Sequence, residues 1–278
     1  MERKGKIKDF LIYIILLIVT CFFIFPILLV IMNSTKGNAY IFTTPFEWPT
    51  EVSFIGISNY IRGIEKTSFF ASFCYSLFIT VGSVLSIMLC CSMAAWIITR
   101  VKSWYTTVLY FMFTLGMVVP FQMVMYTMAR TANRLGLDNP LGIIVVYTGF
   151  GCGLAIFMFS GFVKGIPIEL EEAALIDGCN PISTFFRIVF FMLKPIIVTV
   201  AILNAMWIWN DYLLPYLVLG SSYRTIPVAI QYLKSGYGSI DYGHLMALIV
   251  LSLMMIVVFY FTCQKHIIEG IVAGAIKG

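Results

Sequence analysis

Charged side chains are scarce in this 278-residue sequence. Asp, Glu, Lys and Arg make up 11% of it, whereas an ordinary globular chain carries about 25%. Hydrophobic residues make up 60%, and the mean hydropathy is +0.96. This composition excludes a cytosolic enzyme, a disordered chain and a secreted disulfide scaffold. The solvent of this chain is therefore lipid, and the sequence predicts an integral membrane protein.

Motifs for covalent chemistry and for metal binding are absent from the sequence. It contains no G-x-x-x-x-G-K-[ST] phosphate loop, no HExxH and no CxxC, and most of its seven cysteines lie in apolar runs. The 18 Lys and Arg residues are spread along the chain and form no basic stripe. We therefore expect reduced, packed thiols, no catalytic residue, no metal or cofactor in this chain, and no nucleic-acid partner.

Long apolar runs are what the sequence has instead. A helix needs about 20 apolar residues to cross a bilayer, because each backbone amide in hydrocarbon must be bonded within its own segment. Asp211 is the one Asp, Glu, Lys or Arg within the six runs of this length. The sequence predicts an all-α protein with six transmembrane helices, at residues 10–32, 68–99, 103–129, 140–163, 195–219 and 243–263.

The distribution of basic residues predicts the orientation in the membrane. Cytoplasmic loops retain Lys and Arg, and with the N-terminus inside, eleven of the eighteen fall in inner segments. No A-x-A cleavage site follows the first run, so we expect it to be retained as a span. The chain is predicted to be a multi-pass protein of the prokaryotic cell membrane with both termini cytoplasmic.

The loops divide the chain into three parts. Residues 1–67 hold the first span and an outer segment rich in Pro, Thr and aromatic residues, which predicts a folded cap. Residues 68–263 hold the other five spans, and residues 264–278 form a cytoplasmic tail. The glycines of the fourth span, which include Gly149, Gly151 and Gly153, predict close helix packing.

The inner loop at residues 164–194 has the local sequence of two short helices. Pro167 suits a first helical position, and three glutamates follow it at the positive end of the helix dipole. Gly178 suits a left-handed C-terminal cap, while Asn180 and Pro181 suit the start of a second helix. One interpretation is an amphipathic helix on lipid headgroups, but anionic lipid repels clustered glutamates. A docking element for a protein partner is the favoured alternative.

This loop resembles the EAA loop of ABC importer permease subunits. The residues EAA at 172–174 are followed after three residues by Gly178 and, ten positions further on, by Ile188. The WND stretch at 209–211 and the tail EGIVAGAIKG at 269–278 resemble the carbohydrate branch, specifically its maltose-type second permease. The resemblance covers the chain from about the second span to the C-terminus.

The resemblance implies the type I ABC importer permease fold and a non-catalytic role. The chain would form half of an alternating-access pore for a carbohydrate. The implied partners are a second, homologous permease in a heterodimer, an ATP-binding subunit dimer that carries ATP and Mg²⁺, and an extracytoplasmic sugar-binding protein. The implied ATPase-coupling residues are Glu172, Ala173, Ala174, Asp177 and Gly178.

The loop departs from the family pattern in one place. Phe190 and Phe191 stand where the family usually has a Leu-Pro pair. Pro195 follows four residues after Phe191, so we expect the turn into the fifth span to be set there.

Aromatic and polar residues cluster around Asp211 in the fifth span. Trp207, Trp209, Asn210 and Tyr212 accompany it, and sugars bind aromatic faces together with amide or carboxylate hydrogen bonds. The cluster is therefore a candidate substrate pathway. An aromatic belt at the membrane interface, with Asp211 at the water boundary, is the favoured alternative.

A self-sufficient secondary carrier or channel is the alternative function. Such carriers use buried ionisable groups for proton or sodium coupling, and the predicted spans contain almost none. A separate ATPase is therefore the better account of the energy source.

Overall fold

The computed structural model of the chain describes residues 2–233 and 240–275. Within these residues the chain is helical, and the one extended pairing is an isolated bridge between Lys36 and Phe54. A π-helical stretch, Phe185–Val189, follows α9. The α-helices are α1 (Glu2–Asn33), α2 (Asn38–Thr43), α3 (Ser58–Thr67), α4 (Phe69–Arg100), α5 (Trp104–Leu115), α6 (Phe121–Arg134), α7 (Gly142–Val163), α8 (Glu169–Ile176), α9 (Pro181–Thr184), α10 (Phe190–Met192), α11 (Lys194–Asn210), α12 (Leu213–Leu219), α13 (Ile226–Tyr232) and α14 (Tyr242–Ala275).

Four helices in the described part of the chain are each long and apolar enough to cross a membrane. They are α1 from Asp9, α4, α7, and α14 up to Thr262, and they match the first, second, fourth and sixth predicted spans. Their surroundings differ. In the most apolar stretch of α1 none of the residues is buried within the chain, whereas in that of α7 the buried share is 44%. This chain therefore leaves the apolar surface of α1 uncovered, whereas α7 is packed within the second unit.

The third and fifth predicted spans are helical but interrupted. The third divides into α5 and α6 at a break that ends with Pro120, because proline lacks an N–H and disfavours helical backbone in the residue before it. The fifth stops at Asn210, since Asp211 is extended, with φ −73° and ψ 126°. A new helix, α12, then begins at Leu213.

The chain divides into two compact units. The first comprises Met1–Phe70 and Ala229–Val258, and the second comprises Ala71–Val228 and Phe259–Gly278. Residues 276–278 of the predicted cytoplasmic tail lie outside the described residues.

The outer segment of the first unit is folded, as its composition predicts. Lys36 is fully buried, and its Nζ donates to the backbone oxygens of Thr44, at 2.8 Å, and Glu47. Asn59 Nδ2 donates to the backbone oxygens of Ser34 and Lys36, at 2.8 and 2.9 Å. Burial lowers the pKa of the Lys36 ammonium. The cap is thus held by polar side chains that satisfy backbone groups of the same loop.

The core of the second unit is packed around small residues of α7. A Cβ at Gly151 would lie 2.5 Å from Ile87 Cδ1, and one at Gly153 would lie 2.8 Å from the backbone oxygen of Phe113. Nothing lies within 4 Å of a Cβ at Gly149. The prediction of close helix packing is confirmed at Gly151 and Gly153 and is wrong at Gly149.

The cysteines differ from the expectation of packed thiols. Cys91 is buried, whereas Cys21, Cys74 and Cys90 are exposed on α1 and α4. An apolar thiol on a membrane helix needs no burial in protein, because the surrounding lipid is itself apolar. The side chain of Cys263 lies outside the described residues.

Two alanine substitutions in α7 separate packing from helix propensity. Gly153→Ala forces a methyl group against the α5 backbone, and we expect the free energy of unfolding to fall by about 1–3 kcal/mol. Gly149→Ala gains helix propensity with no contact, so its stability should equal or exceed that of the wild type. Thermal unfolding of the detergent-purified chain measures both, and equal midpoints for the two variants would contradict the packing.

Candidate functional site: the inner elbow

The inner loop at residues 164–194, which we call the elbow, folds as two short helices joined by a glycine turn, as predicted. At the end of α8 the N–H of Cys179 donates to the oxygen of Ala174 at 2.9 Å, and the N–H of Gly178 donates to the oxygen of Leu175 at 3.1 Å. This pair of bonds is the Schellman arrangement. Gly178 has φ +84°, a value that side-chain-bearing residues rarely adopt, so glycine is strongly favoured at the turn.

The second helix of the elbow begins as predicted and then bends. Asn180 Oδ1 accepts a hydrogen bond from the N–H of Ser183 at 2.8 Å, and Pro181 is the first residue of α9. The stretch from Pro181 to Met192 meets α11 at an angle of 78°. The break lies at Leu193, and Pro195 is at the start of α11. The turn thus lies two residues before Pro195, and a role of this proline in setting it stays a prediction.

Glu171 ties α8 to the inner end of α4. Its Oε1 accepts hydrogen bonds from Arg100 Nε at 2.9 Å and Nη2 at 2.7 Å, and its Oε2 accepts one from Trp96 Nε1 at 2.9 Å. Arg100 Nη2 also donates to the backbone oxygen of Ile166 at 2.8 Å. The side chains of Glu171 and Arg100 are 9% and 17% exposed. We call Glu171, Arg100 and Trp96 the elbow anchor.

The elbow anchor rests on an apolar cluster. The Trp96 ring lies 5.5 Å from the Phe185 ring, and Phe185 is fully buried. The buried members of the cluster are Val163, Ile166, Phe185, Val189 and Leu193. The anchoring ion pair is therefore held in a partly dry environment, where its hydrogen bonds are stronger than in water.

Sequence reasoning missed the elbow anchor. Glu171 and Ala174 are both buried, and residues three apart lie on one face of a helix. A buried helix face that carries an acidic residue indicates a basic partner elsewhere in the chain. The family motif does not point to Glu171, because it begins one position later. The partner, Arg100, is 71 positions away from Glu171 in the sequence, so only tertiary structure pairs them.

The predicted coupling residues are divided between two faces of the elbow. Glu172, Ala173, Asp177 and Gly178 are exposed, whereas Ala174 is only 4% exposed and faces the interior of the chain. Two large apolar side chains also lie on the exposed surface, Leu175 at 53% and Ile176 at 86% exposure. The surface thus combines acidic and apolar groups.

Asp211 joins α11 to α12. Its Oδ2 accepts a hydrogen bond from the Tyr147 hydroxyl at 3.0 Å, and its Oδ1 accepts one from the N–H of Leu213 at 3.0 Å. The Trp207 ring meets the Tyr147 ring edge-on at 5.5 Å. Asp211 therefore caps the first turn of α12 and also bonds to α7.

The other members of the predicted substrate cluster have different neighbours. The Trp209 ring lies 6.0 Å from the Phe73 ring, and Tyr212 stacks on Tyr216 at 5.2 Å. Asn210 is exposed, and its Nδ2 donates to a backbone oxygen one turn earlier in α11, at 2.7 Å. The break between α11 and α12 separates residues that a continuous helix would have kept on neighbouring faces.

A family comparison identifies the class of protein. The model of the family described as "binding-protein-dependent transport system inner membrane component" matches residues 86–271. The chain belongs to this family. The matched range contains the elbow, its anchor and the α11–α12 joint, and it makes the chain a multi-pass membrane permease.

Relatives resemble this permease along their whole length. It is 34% identical over 276 residues, 99% of each chain, to the probable starch degradation products transport system permease protein AmyC of Thermoanaerobacterium thermosulfurigenes. It is 35% identical, over all of both chains, to the multiple sugar-binding transport system permease protein MsmG of Streptococcus mutans. It is 30% identical to the melibiose/raffinose/stachyose import permease protein MelC of Bacillus subtilis, over 99% of this chain and 100% of that one.

A solved structure confirms the fold of this permease. A chain in the crystal structure of a bacterial ABC transporter involved in the import of the acidic polysaccharide alginate superposes with a TM-score of 0.78. The match covers 95% of this chain and 97% of that one, at 23% identity. The all-α membrane fold expected from the sequence is the fold of an ABC importer permease.

The elbow anchor predicts different effects for two adjacent glutamates. In Glu171→Gln the amide NH₂ would face donors of Arg100 or Trp96, which leaves buried groups unsatisfied at a cost of about 1–3 kcal/mol. We expect backbone amides of α8 to exchange hydrogen about ten-fold faster or more. Glu172→Gln is the matched control, because Glu172 is exposed, and its α8 exchange should equal that of the wild type. Unchanged exchange in Glu171→Gln would show that the anchor does not hold the helix.

Proposed function

We propose that this permease is one of two homologous membrane subunits of an ATP-driven importer for a carbohydrate. The observation that supports the proposal is the exposed elbow, which presents acidic and apolar side chains on one surface. The chain has no phosphate-loop motif of its own, so this surface suits docking of a separate ATPase. The full-length similarity to permeases named for starch products and for other sugars supports carbohydrate as the substrate class. The second permease, the ATPase dimer and the sugar-binding protein are partners in this proposal.

The elbow transmits movement of the ATPase to the membrane helices. Its exposed face, with Glu172, Ala173 and the turn at Gly178, docks on the ATPase, which carries ATP and Mg²⁺. The elbow anchor then links α8 to the inner end of α4, so a displacement of the elbow moves α4 instead of being lost in a loose loop. Glu171 and Arg100 are positioning residues in this scheme, since they act through α8.

The substrate pathway lies near the α11–α12 joint in this proposal. Asn210 and Trp207 keep exposed surface, with Trp207 at 41% exposure, and they remain the candidates for sugar contact together with Trp209 and Tyr212. Asp211 has a different role, because both of its carboxylate oxygens are engaged within the chain. It sets the direction in which α12 leaves α11.

Substitutions at Gly178 test the coupling role. A residue with a side chain at φ +84° costs about 1–2 kcal/mol, and a β-branched residue is the least tolerated there. We expect Gly178→Val to reduce sugar-stimulated ATPase activity and uptake at least ten-fold in proteoliposomes that contain all partners. Gly178→Asn, which tolerates a left-handed backbone, should retain most of both activities. Membrane insertion should be normal in both variants.

Two outcomes would contradict the coupling proposal. Full activity of Gly178→Val would show that the geometry of the turn is irrelevant to coupling. Sugar uptake by this chain alone, in liposomes without an ATPase, would favour the secondary carrier instead.

Cysteine labelling tests the orientation on which the proposal depends. Ala173 is exposed and Ala174 is buried, so Ala173→Cys is the informative position, in a background without native cysteines. We expect a membrane-impermeant maleimide to label it in inside-out vesicles and not in intact cells. A matched cysteine at Trp48, which is 80% exposed in the outer cap, should show the reverse pattern. Labelling of Ala173→Cys in intact cells would place the elbow on the wrong side.

A further inference from the structure

A pocket lined by both polar and apolar side chains lies beside the elbow, at the ends of three helices. Its volume is about 420 Å³, and its lining includes Lys102, Ser103, Trp104, Ser160 and Lys164. These residues come from the turn between α4 and α5 and from the last turn of α7. All belong to the same compact unit, and both lysines fall in segments predicted to be cytoplasmic. The pocket has no part in the coupling scheme above.

The two lysines supply positive charge that the chain does not neutralise. Lys102 and Lys164 are exposed, and neither is in an ion pair with another described residue. Two ammonium groups on one cavity repel each other unless an anion lies between them. The charge of the pocket therefore favours an anionic ligand.

Ser160 provides a polar group with no use inside the chain. Its residue is 2% exposed, and its Oγ has no hydrogen-bond partner among the described residues. A buried hydroxyl without a partner is uncommon in folded proteins and costs about 1–3 kcal/mol. Ser160 lines the pocket, so a rotation of its buried hydroxyl toward the pocket would let a ligand with acceptor oxygens satisfy it.

The first turn of α5 adds donors on the same side. Ser103 caps this helix by accepting a hydrogen bond from the Thr106 N–H at 3.4 Å. Trp104 lines the pocket, and its amide, at the first position of the 12-residue helix, has no partner in the helix itself. The positive end of a helix dipole with free amides suits phosphate oxygens.

The surroundings of the pocket favour a lipid over a soluble anion. Trp104 is 78% exposed, which suits an aromatic anchor at the level of the headgroups. Val101, Tyr105 and Val108 are also 40–48% exposed. A phosphate in the pocket would thus lie next to an apolar surface that can contact acyl chains.

We propose that this pocket binds the phosphate headgroup of an anionic phospholipid of the inner leaflet. Lys102 and Lys164 hold the phosphate charge, Ser160 donates to a phosphate oxygen, and the apolar side chains around Trp104 contact the acyl chains. The inner leaflet is anionic and concentrates basic protein segments at its surface.

Lipid titration of the full-length chain tests the proposal. The probes are fluorescent phosphatidylglycerol and phosphatidylcholine, added to the detergent-purified protein. Each lysine is expected to contribute about five-fold to affinity. The double variant Lys102→Gln with Lys164→Gln should therefore raise the Kd for phosphatidylglycerol about 25-fold. Lys194→Gln removes one charge from an exposed inner position outside the pocket lining, and its Kd should stay within two-fold. Binding of phosphatidylcholine should be weak and equal in all variants.

A second variant keeps the test independent of folding defects. Ser160→Leu fills the cavity without altering charge, and it should also raise the Kd for phosphatidylglycerol at least five-fold. Wild-type affinity in both Ser160→Leu and the double lysine variant would overturn the proposal. Glycerol phosphate carries the charge of the headgroup but has no acyl chains. If it competes at the same concentration as phosphatidylglycerol, the pocket binds a soluble anion and the lipid assignment is overturned.

Discussion

Hydrocarbon cannot hydrogen-bond a peptide group, and the structure of this permease follows from that constraint. Long helices satisfy their own amides, so the places that need explanation are the ones where a helix stops. At several of these in the described part of the chain, a local side chain or turn replaces missing bonds. Asp211 caps α12, Asn139 accepts from the first amide of α7, and the Schellman turn at Gly178 closes α8. The interruptions of the helices at the elbow and at the α11–α12 joint are therefore stabilised by specific local hydrogen bonds.

The elbow anchor contains an ion pair, Glu171 with Arg100, that is largely removed from water. Removing an ion pair from water costs several kcal/mol per ion, and a well-packed apolar pair is often as stable. Glu171 and Arg100 offset the cost with an extra bond from Trp96 and one to the Ile166 carbonyl. What such a pair provides is a single geometry, because both oxygens of Glu171 are engaged by donors with fixed directions on Arg100 and Trp96. The coupling role proposed for the elbow requires a fixed angle between α8 and α4 more than it requires added stability.

The lipid pocket and the elbow anchor share two short segments of chain. Arg100, in the anchor, is the last residue of α4, and Lys102, which lines the pocket, follows it by two positions. Lys164 lines the pocket and directly follows α7, and two positions later Ile166 accepts a hydrogen bond from Arg100 through its backbone oxygen. A headgroup bound in the proposed pocket would therefore restrain the same two helix ends that Arg100 of the elbow anchor connects.

The sequence by itself determined the class of the molecule, its apolar segments and the turn chemistry of the elbow. These depend on composition, on the length of apolar runs and on the local preferences of Gly178, Asn180 and Pro181. Tertiary structure alone decided which residues meet. It paired Glu171 with Arg100, turned Ala174 inward, broke the fifth span at Asp211, and left Gly149 exposed while Gly153 was packed. In a chain that is apolar on nearly every helix face, hydrophobic periodicity does not distinguish protein from lipid, so the contacts emerge only when the helices are packed together.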